Sequence, residues 1–208
     1  RVLLLAAYDT AFDDGPLQSA HVAPIALVFL SNLLRPDAQE TFRYFASQGV
    51  SVRVISGDNP ITVAQVAARA GIENADRYVD AMTLSTEQDF EEAVKYYTVF
   101  GRVTPEQKRY LVRAFQKQGH TVAMTGDGVN DVLALKDANC GIAMASGSQA
   151  ASQVAQIVLL NSQFSAMPAI VAEGRRVINN IQRAASLFLV KNIFSFALTL
   201  LLLFIDMP

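Results

Sequence analysis

The sequence predicts an α/β fold, a doubly wound and mostly parallel sheet that runs into one long apolar helix. Three observations carry this. Short apolar or β-branched runs alternate with stretches of helical spacing from about residue 23 to residue 160, the pattern of a parallel sheet covered on both faces. Several of these runs end in Ser, Gly or Asp where a strand gives way to a helix, the edge at which such sheets hold ligands. After Met167 the alternation stops, and residues 184–205 carry Lys191 as their only formal charge.

Taken in order, residues 2–8 are a strand candidate and Asp9-Thr10-Ala11-Phe12-Asp13-Asp14-Gly15-Pro16 a turn-rich connection. His21 reads as a solvated or structurally bonded histidine. Residues 23–30 read as a buried strand that returns the chain to the core sheet. Leu33-Leu34-Arg35-Pro36-Asp37-Ala38 opens a helix, with Phe42, Phe45 and Ala46 on one face and Gly49 as its stop. Residues 50–55 alternate and are β-branched, a strand that delivers Ser56-Gly57-Asp58 to its carboxyl end. Asn59-Pro60 then sets the turn into a helix over 61–70. Ser56 and Asp58 are positioned to cap that helix or to bind an anion at its amino end, and the two roles are compatible.

A connector holding Val79 and Asp80 leads to a helix over 86–97, and Val99-Phe100 is a short strand. Arg102 and Lys108 lie near the start of the next helix, whose first turn contains Pro105. Taken alone, Lys108 reads as a solvated helix residue, since lysine is seldom buried. Val122-Ala123-Met124 is again a short strand, and Val132-Leu133-Ala134-Leu135-Lys136-Asp137-Ala138 a helix. Between them, Gly126 and Gly128 allow a tight turn that brings Asp127 and Asp131 to the carboxyl end of the strand. Hard oxygen ligands beside free helix-terminal amides suit Mg²⁺ with a phosphate next to it; an ordinary turn with an Asp cap is the plainer alternative for a bare Gly-Asp-Gly. Ile142-Ala143-Met144 is a strand, Ser146-Gly147-Ser148 starts a brief helix with Gln149 and Ala150, and residues 157–160 form a last strand.

Composition narrows the class. The chain is 51% hydrophobic with a mean hydropathy of +0.25, and the excess is concentrated at its end. Its 17 basic and 19 acidic residues are mixed along the chain, which argues against a nucleic-acid-binding surface. The single cysteine, Cys140, rules out an internal disulfide, fits a reducing compartment and reads as a buried small hydrophobe. The chain starts at Arg1 inside an apolar run and stops at Asp206-Met207-Pro208 after a membrane-like segment, so it reads as part of a longer polypeptide.

The final segment is one long helix. Glu173-Gly174-Arg175-Arg176-Val177-Ile178-Asn179-Asn180-Ile181-Gln182-Arg183 is amphipathic and basic. The apolar run that follows measures about 33 Å at 1.5 Å per residue, enough to cross a bilayer. The preceding arginines place its amino end on the cytoplasmic side. Lys191 and Asn192 fall inside the span, facing a bundle interior or an ion path, with snorkelling open to Lys191.

Three blocks, in this order, resemble P-type cation-transporting ATPases within the haloacid-dehalogenase-like phosphotransferases: Val54-Ile55-Ser56-Gly57-Asp58-Asn59-Pro60-Ile61-Thr62-Val63-Ala64, then Phe100-Gly101-Arg102-Val103-Thr104-Pro105-Glu106-Gln107-Lys108, then Thr125-Gly126-Asp127-Gly128-Val129-Asn130-Asp131. The resemblance runs from about residue 23 to the end. It implies a Rossmann-type fold of the dehalogenase-like kind, with residues 1–22 a remnant of the nucleotide-binding domain, 23–166 a partial phosphorylation domain and 167–208 the stalk and fifth transmembrane helix.

Roles follow from the same resemblance. Ser56, with Gly57 and Asp58, and Lys108 would be catalytic, Ser56 and Lys108 contacting the phosphoryl oxygens. Asp127 and Asp131 would belong to the Mg²⁺ site, Gly126, Gly128 and Asn130 to the hinge, Arg102 to ATP binding and Asn192 to the transport path. The implied substrate is ATP and the implied cofactor Mg²⁺; the implied partners are a lipid membrane, the remainder of the polypeptide and a transported cation. Bacterial pumps of the calcium type are the closer likeness, which favours Ca²⁺ over heavy metals. The chain departs from the family in two places. Asn32 stands where an aspartate is usual, and no Asp-Lys-Thr-Gly-Thr run, which would hold the phosphoaccepting aspartate, occurs in the sequence. The sheet is therefore expected to lack its nucleophile strand, and the isolated chain to be inactive with an apolar groove left open. A soluble dehalogenase-like phosphatase and a non-enzymatic membrane protein that binds Mg²⁺ or a partner are the alternatives.

Overall fold

The computed structural model describes residues 2–8, 22–30 and 33–204. The turn-rich connection at 9–16, His21, Asn32 and the Asp206-Met207-Pro208 end lie outside the described residues. Two compact units make up the chain, Arg1–Arg35 and Pro36–Pro208.

In the first unit β1 (Val2–Tyr8) pairs antiparallel with β2 (Val22–Phe29), Val2 opposite Phe29 and Tyr8 opposite Val22. The register slips between Leu5 and Ala6, where Pro24, which has no N–H to give, faces Ala6. The sequence expectation that this second strand is buried in the core sheet is corrected here. β2 takes the nearby β1 as its partner, a short loop closure, and most of its side chains are exposed.

The second unit holds two parallel three-stranded sheets. In one, β3 (Val54–Ile55) and β4 (Tyr78–Asp80) flank β5 (Val99–Gly101); in the other, β6 (Ala123–Gly126) and β8 (Ile157–Leu159) flank β7 (Cys140–Met144). The helices are α1 (Ala38–Ser47), α2 (Pro60–Arg69), α3 (Glu87–Tyr96), α4 (Pro105–Lys117), α5 (Val132–Asp137), α6 (Gln149–Val154) and α7 (Met167–Phe204). The parallel α/β expectation holds, with local differences. Val79 and Asp80 are ladder residues of β4 rather than a connector, because each has a parallel partner on β5. Only Val54 and Ile55 of the run 50–55 are laddered, since β3 has a neighbour on one side alone among the described residues. On α1 the buried positions are Thr41 and Phe45, and Ala46 is exposed. Cys140 is half-buried.

Two core clusters meet on α4. Leu111 and Phe115 pack with Phe90, Val94 and Phe100 from α3 and β5, while Val112 packs with Met124, Leu135 and Ala143 from β6, α5 and β7. Phe90, Phe100, Leu111, Val112 and Leu135 are all at most 2% exposed, each contributing about 1.5–3 kcal/mol by burial. The helix that carries Lys108 is thereby held to both sheets. A third cluster, in which Phe45, Ile142 and Leu159 surround Met167, seats the start of α7, and Arg175 donates a hydrogen bond to Gln48 one helix away. Beyond that point α7 is exposed.

Candidate active site

Parallel register sets the carboxyl edge of each sheet. β3 leads directly into Ser56, whose N–H donates to Phe100 O at 2.9 Å and whose carbonyl accepts from Val103 N–H at 3.0 Å. Ser56 Oγ accepts from the Asp58 N–H at 3.1 Å, and the Asp58 carbonyl accepts from Arg102 N–H at 2.8 Å. The loop after β3 is thus tied to the loop after β5. Asn59, rather than Ser56 or Asp58, caps α2, its side chain accepting from Ile61 N–H. Ser56 and Asp58 are therefore free of that capping role. Gly101 lets α2 approach: a Cβ there would stand 2.4 Å from Pro60 Cα.

Arg102 adopts φ 51 and points its guanidinium at Asp80, 2.8 Å away, with its side chain still 46% exposed. Two residues on, Thr104 and Gln107 form a capping box that starts α4 and fixes the phase at which Lys108 leaves the helix. Lys108 Nζ lies 2.6 Å from Asp131 Oδ1, and the two side chains are only 14% and 9% exposed.

The segment after β6 builds the other side. Val129–Asp131 is a single 3-10 turn, and the second oxygen of Asp131 accepts from Gly128 N–H at 3.1 Å. Asp131, taken with Asp127 as a metal ligand in the sequence reading, thus has both carboxylate oxygens engaged inside the protein. Gly126 is needed for this, since a Cβ on it would be 2.6 Å from Asp131 Cβ. Asp127 is different. Its carboxylate is exposed and has no partner among the described residues, while its carbonyl accepts from Ser148 N–H at 2.6 Å. Asn130 is exposed beside it. The arrangement brings Ser56, Gly57, Asp58 and Arg102 into one tied loop pair, and Gly126, Asp127, Gly128, Asn130 and Asp131 into another, with α4 and Lys108 between them. Asn192 is not part of this assembly; it lies on α7. A cavity of about 300 Å³ opens at the opposite, amino-terminal approach to β3, lined by Phe42, Gly49, Val52 and Glu73, away from these loops.

The donor set fits Mg²⁺. One exposed carboxylate at a strand end suits an ion that keeps several waters and takes one or two carboxylates plus phosphate oxygens. No cluster of three or more His, Cys, Asp or Glu side chains that could hold a metal ion exists among the described residues, so an ion at Asp127 would take its other ligands from water, phosphate or further protein.

Sequence reasoning missed two supports. Gly147, read only as the start of a helix, sits against the Asp127 carbonyl, where a Cβ would be 2.3 Å away. Asp137 at the end of α5 accepts from Arg109 Nε at 2.6 Å and Arg113 Nε at 2.7 Å, while Gln116 Nε2 donates to the Asp137 carbonyl at 2.8 Å. The i, i+4 spacing of Arg109 and Arg113 was the available signal, because it places both on one face of α4. Burial acts to raise the Asp137 carboxyl, but the two guanidiniums outweigh it and hold the group below the usual carboxylate range. A depressed folded-state value contributes stability above the unfolded value, about pH 4, that is lost as pH falls through the folded one. Asp137→Asn is therefore expected to lower stability at neutral pH and to flatten this part of the acid limb, checked by urea midpoints from pH 7 to pH 2; parallel wild-type and mutant curves would refute it.

Comparison with known proteins gives the family. A family profile described as haloacid dehalogenase-like hydrolase matches residues 3–139. The calcium-transporting ATPase CtpE of Mycobacterium tuberculosis is 55% identical over 202 residues, 97% of this chain and 25% of that protein. The probable cation-transporting ATPase exp7 of Streptococcus pneumoniae is 44% identical over 97% of this chain and 26% of its own length. The chain thus spans about a quarter of the length of these curated relatives. Among solved structures, a zinc-transporting PIB-type ATPase in an E2.Pi state aligns with a TM-score of 0.60 and 26% identity, covering 80% of this chain and 23% of that one. The loops at the strand ends and these matches lead to one conclusion: the chain belongs to the haloacid dehalogenase-like hydrolases, and the curated relatives it resembles are cation-transporting ATPases.

Proposed function

We propose that the chain is the supporting half of the phosphorylation site of an ATP-driven cation pump, together with the helix that links that site to the membrane. The observation that carries the reading is the buried Lys108–Asp131 pair at 2.6 Å, set under a loop whose one unengaged carboxylate is Asp127. An aspartate outside these 208 residues would accept the γ-phosphoryl group of ATP, releasing ADP, and water would later release phosphate. β3 and β6 are each terminal strands of their sheets among the described residues, which supports a further strand bearing that aspartate.

In this reading Asp127 holds Mg²⁺, which neutralises phosphate charge when bound. Lys108 and Ser56 bind phosphoryl oxygens, Asp131 and Gly128 fix the loop, and Arg102 meets the nucleotide. A cation placed on the transferring group stabilises the charge spread over its oxygens. Residues 1–22 serve as the edge of a nucleotide domain, 23–166 as the phosphorylation domain and 167–208 as stalk and membrane span. The calcium-transporting relatives favour Ca²⁺ as the cargo, and the arginines ahead of the apolar run favour a cytoplasmic catalytic side. The isolated chain is inactive on this view.

The test is an acid-stable, hydroxylamine-sensitive phosphoprotein formed from ATP labelled at the γ position, in membranes holding the full-length polypeptide. Label that depends on Mg²⁺ and falls by at least about tenfold in Asp127→Asn is the expected result. A folded wild type that never labels would refute the pump reading, and the cation that changes the label identifies the cargo.

A further inference from the structure

One side of α4 is a polar seam. Lys108, Val112 and Gln116 recur every fourth position and stand in a row along the helix, with Arg109 and Arg113 beside them. Val112 is buried against Leu135 of α5 and Ala143 of β7. Around it the polar side chains reach partners in rising order. Lys108 meets Asp131 just ahead of α5. Arg109 and Arg113 share one oxygen of Asp137, the last residue of α5, at 2.6 and 2.7 Å. Gln116 donates to the Asp137 carbonyl at 2.8 Å and to Asn139 Oδ1 at 3.2 Å, and that same oxygen accepts from Val122 N–H just before β6. The two helices therefore run side by side in one direction.

The contacts along this seam are not equivalent. Lysine carries its ammonium on a flexible four-carbon stem, so the Lys108–Asp131 contact survives a small slide of α4. Two Nε atoms one turn apart on a single carboxylate oxygen do not allow it, because a slide or a twist of α4 lengthens at least one of the bonds. Both arginines are exposed enough, at 36% and 44%, that each pair adds little stability, so what the carboxylate supplies is geometry. We propose that Asp137 is a positioning residue for phosphoryl transfer. Its grip on Arg109 and Arg113 sets where α4 lies, and so where the ammonium of Lys108, the residue before Arg109, stands beside the Asp127 loop. Among the described residues the Asp137 carboxylate bonds to α4 alone, and it acts only through that helix.

The effect on rate rests on the proposed function, and two readouts keep the two ideas apart. The first needs no turnover. In membranes holding the full-length polypeptide, lysines are sparingly acylated with acetic anhydride and the products quantified by mass spectrometry, with Lys95 on α3 as the reference. Asp137→Asn should raise the reactivity of Lys108 relative to Lys95 severalfold; unchanged reactivity overturns the inference. The second is phosphoenzyme formation from γ-labelled ATP. Asp137→Asn should slow it by about tenfold at saturating ATP with KM nearly unchanged, and Asp137→Glu, which keeps the charge, should lose less. On a Lys108→Ala background Asp137→Asn should cost nothing further. An equal cost on both backgrounds, or a loss that only follows the amount of folded protein, makes Asp137 merely structural and overturns the inference. A folded wild type that never labels, but whose Lys108 still responds to Asp137→Asn, supports the grip on α4 and refutes the proposed function instead.

Discussion

Lys108→Ala is expected to lower stability by about 3–5 kcal/mol, because it leaves the Asp131 carboxylate buried without its cation. Asp131 is only 9% exposed, so water cannot replace the lysine without opening the contact between α4 and the 3-10 turn. Urea unfolding of the whole chain reads this directly. The double variant Lys108→Met with Asp131→Asn should lose much less than the sum of the two single changes, since it buries no lone charge and keeps an acceptor for Gly128 N–H. Strict additivity would show that the pair is not coupled. If the proposed function holds, the same lysine change in the full-length polypeptide should slow phosphoryl transfer by about 10²–10³-fold or more, the cost of removing one well-placed charge stabiliser.

Gly147→Ala is expected to be the next most damaging single change, at about 1–3 kcal/mol, and on the proposed function a loss in phosphoenzyme formation by the full-length polypeptide comes beyond that. A Cβ at this position would meet the Asp127 carbonyl at 2.3 Å and its Cα at 2.9 Å, and both are backbone or nearly so. The Asp127 loop has to move away, taking its carboxylate with it. A displacement near 1 Å can cost about 10²-fold in rate. Gly57→Ala is the matched comparison for stability. Its nearest neighbour would be Val103 O at an ordinary 3.8 Å, so its unfolding midpoint should stay close to wild type. Equal midpoints for the two variants would sink the argument.

Much of the site was legible because its chemistry is local. Gly126, Asp127 and Gly128 sit between an apolar strand and a run of good helix formers, and strand–turn–helix order alone puts them at a ligand-binding edge. Pro105 and the Thr104–Gln107 pair likewise mark the start of α4 within four residues. What stayed hidden depends on residues far apart in the chain. Lys108 looked solvated by composition and is 14% exposed; Asp80 looked like connector and is both a strand end and the partner of Arg102. The second strand was legible as a strand but not in its pairing, since an apolar run carries no label for the partner it will take.

By itself the sequence determined the kind of fold, the order of strands and helices, the loops where chemistry gathers and the length of the final apolar helix. Those properties follow from hydrophobic period, turn residues and caps, each set by neighbours within a few positions. Only the tertiary structure decided that Asp131 spends both its oxygens on Lys108 and Gly128, while the Asp127 carboxylate faces outward. It also decided that α4 joins two three-stranded sheets through Leu111 on one side and Val112 on the other. Burial and the pairing of charges are properties of the packed chain, and no local rule assigns them.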